Sequence, residues 1–162
     1  MSDAIVSYED LAITSVTAEP SAYYASPLTP DCKKSIAGRF HIPELILDTY
    51  LKTEGGYPGH IRTNEDGSWD VGPMQINSTN WPMFYDRFGL TPLDIRFNGC
   101  MNLMAGAYLI RTHLDQKKPD NVSGWSAFFV MLADYHSKTP SRNKIYQMRW
   151  VKNFNQLLTE KE

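Results

Sequence analysis

The sequence predicts a single, mainly α-helical domain of the α+β class, with one short β-hairpin element set between its helices. Three observations carry that prediction. Helix start and stop signals recur along the chain, as at Thr29-Pro30-Asp31, at Pro43 with Gly55-Gly56 behind it, and at Thr91-Pro92. Residues 55–77 are rich in glycine and turn residues, and Asp66-Gly67 is a strong hairpin signal there. Residues 98–116 carry Leu103, Ala107, Ile110 and Leu114 on one stripe, widened by Met101, Met104 and Tyr108, as expected of a central, largely buried helix.

Taken in order, residues 1–28 show no sustained period and read as a partly ordered N-terminal extension. Its apolar residues Ile5, Val6, Tyr8, Leu11 and Ile13 would pack on the domain, which spans 29–160. Thr29 caps a helix running to about Phe40. A second helix covers residues 43–54, and a third starts near Asn77 and stops at Gly89. Thr91 opens a short one before the long helix. Residues 117–123 form a polar loop broken by Pro119, and Ser123 caps a helix through Trp125, Phe128, Phe129, Leu132 and Tyr135. A final helix from about Ser141 carries Ile145, Met148, Val151 and Leu158.

Composition narrows the function. At 162 residues the chain is long enough for its own core, and 42% hydrophobic with 21% charged residues is ordinary for a globular protein. A net charge of -2 gives no case for nucleic acid. No apolar run approaches the ~20 residues that span a bilayer. The four histidines are scattered without ligand spacing, so neither a metal nor another cofactor is expected. The opening Met1-Ser2-Asp3-Ala4 lacks the basic and apolar stretches of a signal peptide. An exported protein would then be a mature form restarted with Met, its signal removed, or one exported by an unusual route. A monomer is expected. Cys32 and Cys100, read as residues alone, fit two buried thiols.

One residue breaks the pattern of the 43–54 helix. Glu44, Asp48 and Lys52 share one face, while Leu47, Tyr50, Leu51 and Glu54 share the opposite one. Glu54 thus ends the stripe that faces the core. Burial and the negative end of the helix dipole both disfavour a carboxylate there, which raises its pKa toward the range of a general acid. A glutamate curling out to solvent is the plainer alternative.

The residues beyond Glu54 decide between them. KTEGG (52–56), a turn, then NEDGSWDVGPMQIN (64–77) and Trp81 resembles the lysozyme-like lytic transglycosylases, whose pattern is Glu, a short insert and Gly-x-Met-Gln-Ile. The variant is most similar to the small peptidoglycan transglycosylases of conjugation and type IV secretion systems. The resemblance implies the fold of goose-type lysozymes and soluble lytic transglycosylases (SLT), a periplasmic or secreted location, and peptidoglycan glycan strands as substrate. It implies cleavage between N-acetylmuramic acid and N-acetylglucosamine with Glu54 as the catalytic residue, and components of a secretion or conjugation machine as partners. It also implies a Cys32–Cys100 disulfide, worth about 4 kcal/mol by the entropy of closing so long a loop.

By the same resemblance, Met74 and Gln75 line the sugar subsites, and an amide suits sugar hydroxyls and acetamido groups. Tyr135 matches a tyrosine near the acid, and Tyr146 loosely matches a closing motif. Asn102-Leu103 and Gly106-Ala107-Tyr108-Leu109 match the long helix. Two positions depart from the pattern: Gly55 stands for a serine and His136 for an asparagine. Asp70 is open, either a second carboxylate for a hydrolytic enzyme or a residue accepting backbone N–H bonds before Gly72. Trp69 and Trp81 fit sugar stacking or core equally. A hydrolytic muramidase of the same fold and a non-catalytic peptidoglycan-binding assembly factor are the alternative functions.

Overall fold

The computed structural model describes residues 6–116 and 123–162. The chain is mainly helical with one small antiparallel sheet. Eight α-helices are described: α1 (Tyr8–Thr17), α2 (Pro30–Phe40), α3 (Glu44–Glu54), α4 (Trp81–Phe88), α5 (Pro92–Phe97), α6 (Gly99–Leu114), α7 (Gly124–Ala133) and α8 (Pro140–Glu160). Strands β1 (Ile61–Thr63), β2 (Trp69–Val71) and β3 (Ile76–Asn77) form a meander between α3 and α4. Ile5 and residues 117–122 of the loop expected over 117–123 lie outside the described residues.

Two compact units are present: the described residues up to Lys33 with Glu54–Ala105, and Lys34–Thr53 with Gly106–Glu162. In the first, β1 pairs with β2 in the register Arg62↔Asp70, and β2 pairs with β3 through Asp70↔Asn77. The expected hairpin is therefore three-stranded. Its first turn closes as the Asp66-Gly67 signal requires, with Gly67 at φ 82° and the Asp66 carboxylate accepting from the Ser68 amide and hydroxyl. The expected disulfide joins Cys32 to Cys100, with Cα atoms 5.9 Å apart and a sequence separation of 68.

The N-terminal stretch carries an element that its lack of periodicity hid. Ser7 caps α1 by accepting from the Asp10 amide and donating to its carboxylate. The helix packs on α5, where the buried Ser15 hydroxyl donates to the Pro92 carbonyl. Arg96 is almost fully buried and donates to the carbonyls of Ser15 and Ala18, which end α1, and of Gly59. Tyr8 and Leu11 are half-buried as expected, whereas Val6 and Ile13 are exposed.

In the second unit α7 packs on α8. Asn143 closes the corner between them, donating from Nδ2 toward the Val130 and Ser137 carbonyls and the Asp134 carboxylate. Three expectations are corrected. Helix α7 ends at Ala133, so Tyr135 lies in the turn beyond it, and Ser123 makes no side-chain cap bond. On α8 the buried positions are Asn143, Tyr146 and Trp150, while Ile145, Met148 and Leu158 are exposed. The bulk of two aromatic rings sets that face, and the aliphatic stripe is turned outward.

Candidate active site

Glu54 is the last residue of α3 and is half-buried. Gly55 stops the helix in the left-handed conformation at φ 69°, as the Gly-Gly pair predicts. The chain then runs directly onto the motif turn between β2 and β3. A Cβ at Gly56 would fall on the Gly72 carbonyl oxygen and 2.7 Å from Gln75 Nε2, so only glycine allows this approach. Glu54 precedes that contact by two positions in the chain. The first unit therefore holds Gly56, two residues after Glu54, against the Gly72–Gln75 turn.

The turn itself is clamped. Gly72 sits at φ 71°, and a Cβ there would overlap the Asn102 side chain. Asn102 is fully buried; its Oδ1 accepts from the Met74 amide at 2.7 Å, and its Nδ2 donates to the Val71 and Ile95 carbonyls. Gln75 holds φ 50°, an uncommon conformation for a residue with a side chain, and such backbone is found where surrounding bonds over-determine it. Those bonds are present. Gln75 Nε2 donates to the Gly72 carbonyl at 2.9 Å and lies 3.2 Å from His60 Nδ1. An amide NH2 can only donate, so His60 accepts at Nδ1 and carries its proton on Nε2. Both amide hydrogens of Gln75 are thus engaged inside the turn, and its Oε1 is the atom it can offer to a ligand.

Asp70 differs in its bonding from the backbone-accepting alternative read in the sequence. Its partners are side chains of the flanking strands, not backbone amides. Oδ2 pairs with Arg62 at 2.6 Å and Oδ1 accepts from Asn77 Nδ2 at 2.9 Å. The register that sets Arg62 and Asn77 on either side of Asp70 makes this carboxylate a cross-strand clamp. Met74 and Trp81 are buried as core side chains. Trp69 is half-buried and donates its backbone N–H to Ser78 Oγ.

Tyr135 and Tyr146 belong to the second unit and come together there around Tyr50. The Tyr135 ring stands 5.1 Å from that of Tyr50, edge to face, and the buried Tyr146 ring is 6.5 Å from it. His136 stacks on Tyr146 at 4.8 Å. The Tyr50 hydroxyl donates to the Leu132 carbonyl at 2.7 Å.

Three residues that hold these arrangements escape a reading of the sequence. Asn102 falls within the family resemblance but gives no sign of being the clamp of the motif turn. Arg96 and His60 give no signal, because their partners lie far off in the chain or in a loop without periodicity. No helix among the described residues is long and apolar enough to cross a membrane. No protein-family model matches the chain, and comparison with curated proteins finds no match.

Proposed function

We propose that the protein is a peptidoglycan lytic transglycosylase of lysozyme-like fold, with Glu54 as its one catalytic carboxyl group. The observation that carries this reading is the close approach of Gly56, two residues after Glu54, to the Gly72–Gln75 turn. The residues that make up the transglycosylase-like motif are thereby one structural unit, and glycine is required at the point of contact. Asp70 has a structural task in the sheet, where its two oxygens bond Arg62 and Asn77, and the single-carboxyl reading asks nothing more of it.

In this reading Glu54 gives its proton to the oxygen leaving C1 of N-acetylmuramic acid. The C6 hydroxyl of the same sugar then closes on C1, and Glu54 takes the hydroxyl proton. The product is a 1,6-anhydro end, no water is consumed, and the carboxyl group returns to its starting state. An intramolecular hydroxyl competes against water through proximity. The substrate is peptidoglycan in the periplasm, and opening it locally would make room for a secretion, conjugation or pilus apparatus, as the resemblance suggests. The test is digestion of purified peptidoglycan by the protein and by Glu54→Gln. Soluble muropeptides from the first and none from the folded second are expected. Equal release by both would remove the assignment.

A further inference from the structure

The loop after Glu54 carries an aromatic pair to which the motif gives no role. Tyr57 stacks on His60 with ring centroids 4.7 Å apart and planes within 8° of parallel. Its side chain is nevertheless 61% exposed. A single exposed aromatic is common on protein surfaces and would mean little. This one is fixed. The Tyr57 carbonyl accepts from the His60 amide at 2.9 Å, the Gly59 amide donates to the Arg96 carbonyl at 2.7 Å, and Arg96 Nε donates to the Gly59 carbonyl at 2.8 Å. The His60 carbonyl accepts from the Gly72 amide, and its ring Nδ1 accepts from Gln75.

We infer that the Tyr57–His60 pair is a stacking platform for an N-acetylhexosamine ring of the glycan strand. One face of Tyr57 is taken by the imidazole, and the other is presented to solvent three residues after the candidate acid. A β-linked N-acetylglucosamine ring carries its substituents equatorially, so its faces are sheets of C–H bonds that suit an aromatic face. Little ordering is needed on binding, since the loop is already pinned by five polar contacts, and preorganisation is where such a surface gains affinity. The phenol hydroxyl lies at the ring edge and can meet a sugar hydroxyl. His60 acts here as a positioning residue, holding the phenol ring and tying it to the Gln75 side chain. This inference rests on the reading of the protein as a peptidoglycan-cleaving enzyme.

The experiment uses the full chain with Glu54→Gln to prevent turnover and titrates it with chitotetraose, the β-1,4 tetramer of N-acetylglucosamine. Ring C–H signals of Tyr57 and His60 should shift on binding, and adding Tyr57→Leu should weaken affinity about tenfold while Tyr57→Phe stays within about twofold. On peptidoglycan, Tyr57→Leu in the otherwise unaltered chain should raise KM about tenfold and lower kcat less than about threefold. Unshifted Tyr57 and His60 signals at saturation, or affinity and KM within twofold in Tyr57→Leu while Glu54-dependent cleavage persists, would overturn the platform and leave the function standing. Failure of the unaltered chain to cleave peptidoglycan would overturn both.

Discussion

The two compact units are held by different chemistry. The first is short of long helices and relies on directional bonds: a disulfide, the Arg62–Asp70–Asn77 row across the sheet, the Asn102 clamp, and Arg96 donating to three carbonyls. The second has a polar corner of its own at Asn143 and is distinguished by a cluster of packed rings. Trp150 is buried with Tyr50 at 5.8 Å, Phe154 at 5.4 Å and Phe129 at 6.4 Å between ring centroids. Directional bonds hold a tight turn in an uncommon backbone conformation; packed rings tolerate exchange of shape but resist loss of volume. The segment that must be placed accurately, Glu54 to Gln75, lies in the unit built on directional bonds.

The largest expected effect separates chemistry from stability. Glu54→Gln should lower muropeptide release by about 10³-fold. Thermal unfolding should shift little, because the amide keeps the size and site of the carboxyl. Next come two changes that each strike one unit. Cys100→Ser opens the 68-residue loop and should remove about 4 kcal/mol, read by denaturant unfolding. Trp150→Ala should remove a similar amount, about 4 kcal/mol, through the cavity left in the ring cluster. Amide exchange should be fastest in the described residues up to Lys33 and 54–105 for the first, and in 34–53 and 106–162 for the second. Identical exchange patterns would break the contrast between the units.

A smaller effect depends on pH and belongs to the second unit. Burial holds the His113 imidazole below the usual histidine value, Lys138 acts in the same direction and Asp134 opposes. The His113 Nδ1 has no hydrogen-bond partner among the described residues. The unfolded chain takes up this proton near pH 6.5, before the folded chain does, so stability should fall as pH drops through about 6.5. Burial pushes the Asp134 carboxyl up, which has the opposite sign: the folded chain protonates first, and stability is regained as pH falls toward 3.8. His113→Gln should flatten the upper limb, as followed by melting temperature against pH. The smallest effect is expected for Asp70→Asn. Arg62 is well exposed, so losing that ion pair should cost about 1 kcal/mol or less, and cleavage should persist within a few-fold.

Much of the helical frame was legible because helices announce their ends. The Thr91–Asp94 capping box and the left-handed Gly89 are present as the residues suggest. Helix α1 was missed because Ile13, Thr14, Val16 and Thr17 are weak helix formers without a stripe. Ser7 and Asp10, three apart, were its one local signal. The buried face of α8 was misread because periodicity counts Ile145 and Met148 equally with Tyr146 and Trp150, and ring volume decides between them. Of the site, Glu54 and the Gly72–Gln75 turn could be seen in the motif. The clamps could not, because Asn102 and Arg96 are buried polar residues whose bonds are made across long sequence separations. The disulfide came from resemblance, since two cysteines alone do not say whether they are bonded or are separate buried thiols.

The central claim is that Glu54 works alone, as acid and then as base. Mass spectrometry of the products released from purified peptidoglycan tests it most directly. Anhydro-muropeptides, each lighter by one water than its hydrolysed counterpart, are the predicted result. Products with ordinary reducing ends would contradict it, since a water and a second catalytic group would then be needed.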